Sequence, residues 1–218
     1  MKTKGMARRP LKTRERPWAR ALARWLAARG VRPNAVSLAS VLFAALAGIF
    51  FYLSLEESGD TCGPYLVAAA VFIQLRLLCN MLDGLIAVEG GLAGPLGDIY
   101  NDLPDRIADS LILVGAGLAV RQMAWGVTLG WLAALLAMLT AFVRLLGGSL
   151  GLPQSFAGPM AKQHRMFVLT LGSIAACVEI ALGRHPRMLW AALAIIVAGS
   201  ALTAILRTAR IARELKSR

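Results

Sequence analysis

A chain of 218 residues that is 57% hydrophobic and 17% charged, with a mean hydropathy of +0.62, has too little polar surface for an ordinary soluble domain. Its 24 lysines and arginines outnumber 12 acidic residues, and the net charge of +12 would suit nucleic acid, but the charge is gathered at the two ends of the chain, which excludes that partner. Three cysteines, of which Cys79 and Cys177 fall inside apolar runs, exclude a disulfide framework.

Eleven lysines and arginines lie between Lys2 and Arg32, ahead of the first apolar run. Within this arm, RPWARALARWLAARG sets Trp18, Leu22, Trp25 and Leu26 on one helical face and Arg16, Arg20 and Arg24 on another. That is the pattern of a helix lying on anionic lipid headgroups, and a simple anchor would look the same. Pro33 and Asn34 end this helix and cap the next.

Apolar runs of the length needed to cross roughly 30 Å of hydrocarbon follow at about 35–54, 64–83, 98–120, 124–145, 165–182 and 188–206. The expected fold is all-α: a polytopic membrane protein of six transmembrane helices behind an N-terminal interfacial amphipathic helix. Residues 1–34 form the basic arm, 35–206 the transmembrane domain, and 207–218, with Arg207, Arg210, Arg213, Lys216 and Arg218, a basic tail. The positive-inside rule puts both termini in the cytoplasm. The first outer loop agrees, carrying Glu56, Glu57 and Asp60 without a basic residue, whereas Arg184 and Arg187 are a mild exception.

Acidic residues are unevenly placed in this greasy chain. Asp98, Asp102, Asp105 and Asp109 are spaced by four, three and four residues, so they share one stripe of the third span, while Asn80 and Asp83 sit one turn apart near the end of the second. Crowded carboxylates neutralise one another's charge by taking up protons unless cations hold them ionised. Oxygen ligands on rigid helices suit Mg²⁺ or Mn²⁺. The alternative is a structural ion-pair network built on Arg76 and Arg106. Between the two helices, GGLAGPLG supplies a tight turn that would also let a phosphate approach the backbone.

These residues resemble the CDP-alcohol phosphatidyltransferases, whose second and third membrane helices carry D-x2-D-G-x2-A-R-x8-G-x3-D-x3-D. The aligned positions are Asn80, Asp83, Gly84, Ala87, Val88, Gly97, Asn101 and Asp105. The spacing matches throughout; asparagine at 80 and 101 and valine at 88 depart from it. The resemblance implies transfer of a phosphatidyl group from a CDP-alcohol, usually CDP-diacylglycerol, to the hydroxyl of a small polar alcohol, with release of CMP. It implies that Asn80, Asp83, Asn101 and Asp105 ligate the metal, that Asp105 is also the base, and that Gly84, Ala87 and Gly97 border the nucleotide. The enzyme so implied sits in a bacterial inner membrane with its site facing the cytoplasm, and homodimerisation is compatible with the small residues along several spans.

A second polar cluster, GPMAKQHRM, opens the fifth span, where Lys162 and Arg165 are one turn apart. They read either as flanking charge that sets topology or as an anion site for the phosphate of donor or acceptor. Two other functions fit the same features: a catalytically silent lipid-binding relative, and a transporter or ion-binding membrane protein. Polar residues concentrated near one face favour the enzyme over the transporter.

Overall fold

The computed structural model describes residues 16–54, 62–89 and 97–217. The basic arm before Arg16, the acidic loop containing Glu56, Glu57 and Asp60, and the glycine-rich turn at 90–96 lie outside the described residues, as do the side chains of Asp98 and Asn101. The described residues form seven helices: α1 (Pro17–Ala28), α2 (Pro33–Leu53), α3 (Cys62–Glu89), α4 (Gly97–Ala119), α5 (Gly126–Ser149), α6 (Lys162–Ala181) and α7 (Arg187–Lys216).

Each of the six predicted spans is found as one long helix. Five of these, α2, α3, α5, α6 and α7, are long and apolar enough to cross a membrane. The remaining one, α4, has the length but carries Asp102, Asp105, Arg106 and Asp109 in its first half. The chain is an all-α integral membrane protein. α7 runs unbroken through the segment expected as a tail, and Arg207 is buried within the bundle.

Proline at the first position of both α1 and α2 explains why the chain turns sharply between them, since its fixed φ favours a helix start and disfavours helix in the residue before. Arg16 and Arg32, the residues before those prolines, are extended, and Gly30 at φ 78° supplies the left-handed step that ends α1. α1 packs on the last turns of α3. Ala19 and Ala23 are fully buried there, with Leu22 and Leu26 beside them against Met81, Leu82, Leu85 and Ile86. Trp18 and Trp25, predicted on the same face as the leucines, are half exposed at its flank, and the Arg29 guanidinium lies 4.5 Å from the Trp25 ring centre.

The six long helices form a closed ring in the spatial order α2, α3, α6, α7, α5, α4 and back to α2, while α3 and α4 touch each other little. One half of the ring interior is apolar, with Ala44, Phe51, Ile73, Ile112, Leu169 and Leu193 among its fully buried side chains. The other half receives the first turns of α2, α4 and α6 and the last turns of α3, α5 and α7, and it holds nearly all the buried charge. This polar end is also where α1 and the end of α7 lie.

Close helix crossings keep the ring tight. A Cβ on Gly115 of α4 would stand 2.6 Å from the Gly48 Cα and 2.9 Å from the Gly48 carbonyl oxygen of α2. Gly115→Ala is therefore expected to push α4 off α2 and cost about 1–3 kcal/mol, the usual range for overpacking. The midpoint of denaturant unfolding in detergent micelles checks this, and an unshifted midpoint would show that the crossing is not tight.

Candidate active site

Four helices bring side chains to the gap between α3 and α4. Asn80 of α3 reaches across it, its Nδ2 donating to Asp105 Oδ1 of α4 at 2.7 Å. One turn further along α3, Asp83 is 5% exposed and accepts a bond of 2.8 Å from the Ser37 hydroxyl of α2 on Oδ2. Ser37 lies in the turn that follows Pro33, so the proline-started helix is what points it at α3. The second oxygen of Asp83, Oδ1, is buried and has no hydrogen-bond partner among the described residues.

Asp105 is more fully engaged. Besides Asn80, its Oδ1 lies 3.4 Å from Arg76 Nη2, and its Oδ2 pairs with the Lys162 ammonium at the start of α6. Asp109, one turn on, is gripped by two arginines: Arg76 Nη2 on Oδ1 at 2.6 Å and Arg165 Nη2 on Oδ2 at 3.0 Å. Both arginines are buried, and Arg165 also donates to the Met160 carbonyl at 3.1 Å. Asp102 faces the other way round the ring, between Arg106 of its own helix at 2.7 Å and Arg144 of α5 at 2.8 Å.

The acidic stripe thus meets a network of arginines deeper in the bundle and leaves Asp83, Asn80 and Asp105 together at its mouth. Arg76 and Arg106 do pair with the stripe, Arg76 on Asp109 and at 3.4 Å on Asp105, and Arg106 on Asp102. Lys162 and Arg165, expected to act as one anion site, are divided between Asp105 and Asp109. Gly84 and Ala87 are buried beyond Asp83, and Val88 is exposed. A Cβ on Gly97 would meet nothing within 4 Å, so space is open at the start of α4. Asn101 belongs to α4, one turn before Asp105, its side chain being outside the described residues.

The donors fit a hard divalent cation by their chemistry. Asp83 Oδ1 is an unpaired buried carboxylate oxygen, which is costly without a cation or donor. Asn80, whose nitrogen is used toward Asp105, has its amide oxygen to offer, and Asp105 supplies a second carboxylate. Among the described residues, no three His, Cys, Asp or Glu side chains gather into a metal centre. Two carboxylates and an amide are what this site contains.

Several side chains here were not singled out in the sequence. Ser37 closes the RPNAVS entry to α2, which resembles the same family's, yet nothing in that stretch marks the serine itself. Arg144 could have been found as a lone charge near the end of an apolar run, the situation in which function is the default expectation. It lines a narrow cleft of about 10 Å³, with room for about one water molecule, together with Ser155, Arg207, Arg210 and Glu214, the last already paired with Arg210. Arg207 also fixes the loop before α6, donating 2.8 Å bonds to the carbonyls of Ala157 and Thr140.

No family model matches the chain. It is 25% identical over 179 residues to the inner membrane protein YnbA of Escherichia coli, covering 82% of this chain and 84% of that one. It is 23% identical over 155 residues to archaetidylinositol phosphate synthase of Pyrococcus horikoshii, covering 71% and 76% respectively. Among solved structures, it superposes on Mycobacterium tuberculosis phosphatidylinositol phosphate synthase crystallised with CDP-DAG, with a TM-score of 0.75 at 18% identity over 88% of this chain and 92% of that one. A crystal of the same enzyme with manganese and citrate gives the same TM-score and identity over 88% of both chains. The fold is thus that of phosphatidylinositol phosphate synthase, a CDP-alcohol phosphatidyltransferase, as the motif resemblance implies.

Proposed function

We propose that the protein is a membrane enzyme that transfers a phosphatidyl group from a CDP-alcohol, CDP-diacylglycerol, to the hydroxyl of a small polar alcohol. The observation that carries this reading is Asn80, one turn from Asp83 and bonded to Asp105 across the α3–α4 gap. Motif positions from two helices that otherwise touch little meet there, in a fold shared with an enzyme crystallised with CDP-DAG.

Asp83 and Asp105, with Asn80 and the motif position Asn101, would hold Mg²⁺ or Mn²⁺. Such an ion offsets pyrophosphate charge and stabilises the departing phosphate. Manganese in a crystal of the structural neighbour supports a divalent ion of this kind. The protein's own part is to bind and orient. The hydroxyl oxygen of the acceptor forms a bond to the β-phosphorus while the bond from that phosphorus to CMP breaks, its electron pair leaving with CMP. The hydroxyl proton passes to Asp105, the carboxylate nearest the open mouth of the site. The motif resemblance sets the nucleotide against Gly84, Ala87 and Gly97, beside α3 and at the start of α4.

Two features refine the reading. The site occupies the end of the bundle that carries both termini, so a basic arm held inside puts the chemistry at the cytoplasmic face. The second is the relative from Pyrococcus horikoshii, an archaetidylinositol phosphate synthase by name, which favours an acceptor that itself carries a phosphate. Purified protein with Mn²⁺ and radiolabelled CDP-diacylglycerol, offered inositol phosphate, glycerol phosphate, inositol or serine, tests both points through CMP release. Release with a phosphorylated acceptor is the expected result, and no release with any acceptor would leave a silent lipid-binding relative.

Two substitutions on α4, one turn apart, should fail differently. Asp105→Asn removes a metal ligand and the base together, and should lower CMP release by about 100-fold or more while the protein keeps its unfolding midpoint. Asp109→Asn leaves the buried Arg165 without its carboxylate and Arg76 with only the longer 3.4 Å contact to Asp105. Removing one partner of a buried pair costs about 3–5 kcal/mol, so this variant should unfold at markedly lower denaturant. A variant at 109 as stable as the parent would show that the arginine pair does not depend on Asp109.

A further inference from the structure

Three cations among the described residues reach Asp105 and Asp109, and they are held very differently. The side chains of Arg76 and Arg165 are 0% and 2% exposed, anchored on Asp109 at 2.6 and 3.0 Å. Lys162 is the first residue of α6, a quarter of its side chain is exposed, and its one ion pair among the described residues is with Asp105 Oδ2. The other Asp105 oxygen is taken by Asn80 and Arg76. Both oxygens of the proposed base are therefore occupied by protein donors. Asp83 beside it is the reverse case, 95% buried with Oδ2 held by Ser37 and Oδ1 without a hydrogen-bond partner among the described residues.

We propose that Lys162 is an exchangeable internal cation, which occupies Asp105 until a divalent metal ion binds at Asp83 and then moves to the phosphate of the incoming CDP-alcohol. This rests on the reading of the site given above and adds the order in which its charges are satisfied. The unpaired Asp83 oxygen is the natural first contact for an incoming cation, because nothing has to be displaced from it. Sharing Asp105 is another matter. An ion there would stand beside the Lys162 ammonium, and two positive centres at contact distance in a partly desolvated site repel strongly.

Of the three cations, Lys162 is the one able to give way. A compact ammonium on a flexible four-carbon stem changes partner easily, whereas a guanidinium locked in a fork does not. Its departure frees an Asp105 oxygen for metal or proton, and the displaced charge needs an anion within the reach of one side chain. The phosphate of the substrate is the anion that the proposed reaction brings there. Metal and phosphate should consequently bind with positive coupling, each raising the affinity of the other by the same factor.

The test measures Mn²⁺ affinity directly, from the electron paramagnetic resonance signal of the free ion, on full-length protein in detergent with and without CDP-diacylglycerol. In the parent protein, CDP-diacylglycerol should tighten Mn²⁺ binding about tenfold, within the usual range of coupling between sites. Lys162→Met removes the competing cation, so in the absence of lipid it should bind Mn²⁺ roughly tenfold more tightly than the parent, with most of the lipid-induced gain lost. Lys162→Arg keeps the charge and should keep weak lipid-free binding. Lys162→Gln gives the same reading as the methionine variant if that variant does not fold. Lipid-free Mn²⁺ affinity that is unchanged or weaker in the neutral variants, in a parent that releases CMP, would overturn the exchange and leave the enzyme reading standing. A parent that neither binds Mn²⁺ nor releases CMP would overturn both.

Discussion

Everything at the polar end depends on Asp109 being held between Arg76 and Arg165. These three residues come from α4, α3 and α6, and their bonds of 2.6 and 3.0 Å tie together helices that the apolar packing alone leaves partly separate, since α3 and α4 have little direct contact. A lone carboxylate at this depth would be expensive, and so would either arginine. Paired, they form a fixed floor on which the more open residues Asp83, Asn80 and Asp105 are arranged. The acidic first half of α4 can belong to a membrane bundle because its neighbours in the ring supply the countercharge.

Ring order decides which charges meet. α6 is adjacent to α3, so Lys162 and Arg165 arrive opposite the α4 stripe instead of at a separate anion site. α5 is adjacent to α4 on its other side, so Arg144 takes Asp102. Nothing in the spacing of the stripe distinguishes these fates. Residues 102 and 109 share a helical face, yet seven residues at 1.5 Å rise separate them by about 10 Å along the axis, and different helices pass at those two heights. Helix positions, the polar end and the meeting of Asn80 with Asp105 were legible from apolar run lengths and from the motif that carries the family resemblance. The partners of Asp102, Asp109 and Lys162 were not, because they depend on the order of helices around the ring, which no local pattern encodes. Ser37 illustrates the same limit: a serine one turn into an apolar helix has no distinguishing feature until α2 is seen to lie against α3 at Asp83.

The departures from the family motif make physical sense once the neighbours are known. At 80, an aspartate would set its carboxylate directly against that of Asp105, whereas asparagine donates a 2.7 Å hydrogen bond in the same place. Among the described side chains of the inner cluster, Arg76, Lys162 and Arg165 stand against Asp83, Asp105 and Asp109, three positive charges against three negative. Aspartates at 80 and 101 would tip that balance strongly negative and make a bound cation a condition of stability.

A neutral inner cluster changes what binding requires. A divalent ion entering alone would leave excess positive charge in a partly desolvated site, and a CDP-alcohol entering alone would leave the negative charge of its pyrophosphate uncompensated; each is disfavoured without the other. Together they restore neutrality. On the proposed reading, asparagine at 80 and 101 would exchange tight resident metal binding for binding that is complete when the substrate is present, and would leave the folded bundle independent of metal supply. On this argument the departures alter when the site is loaded more than what chemistry it can perform, because the two carboxylates the proposed reaction uses, Asp83 and Asp105, are both still there.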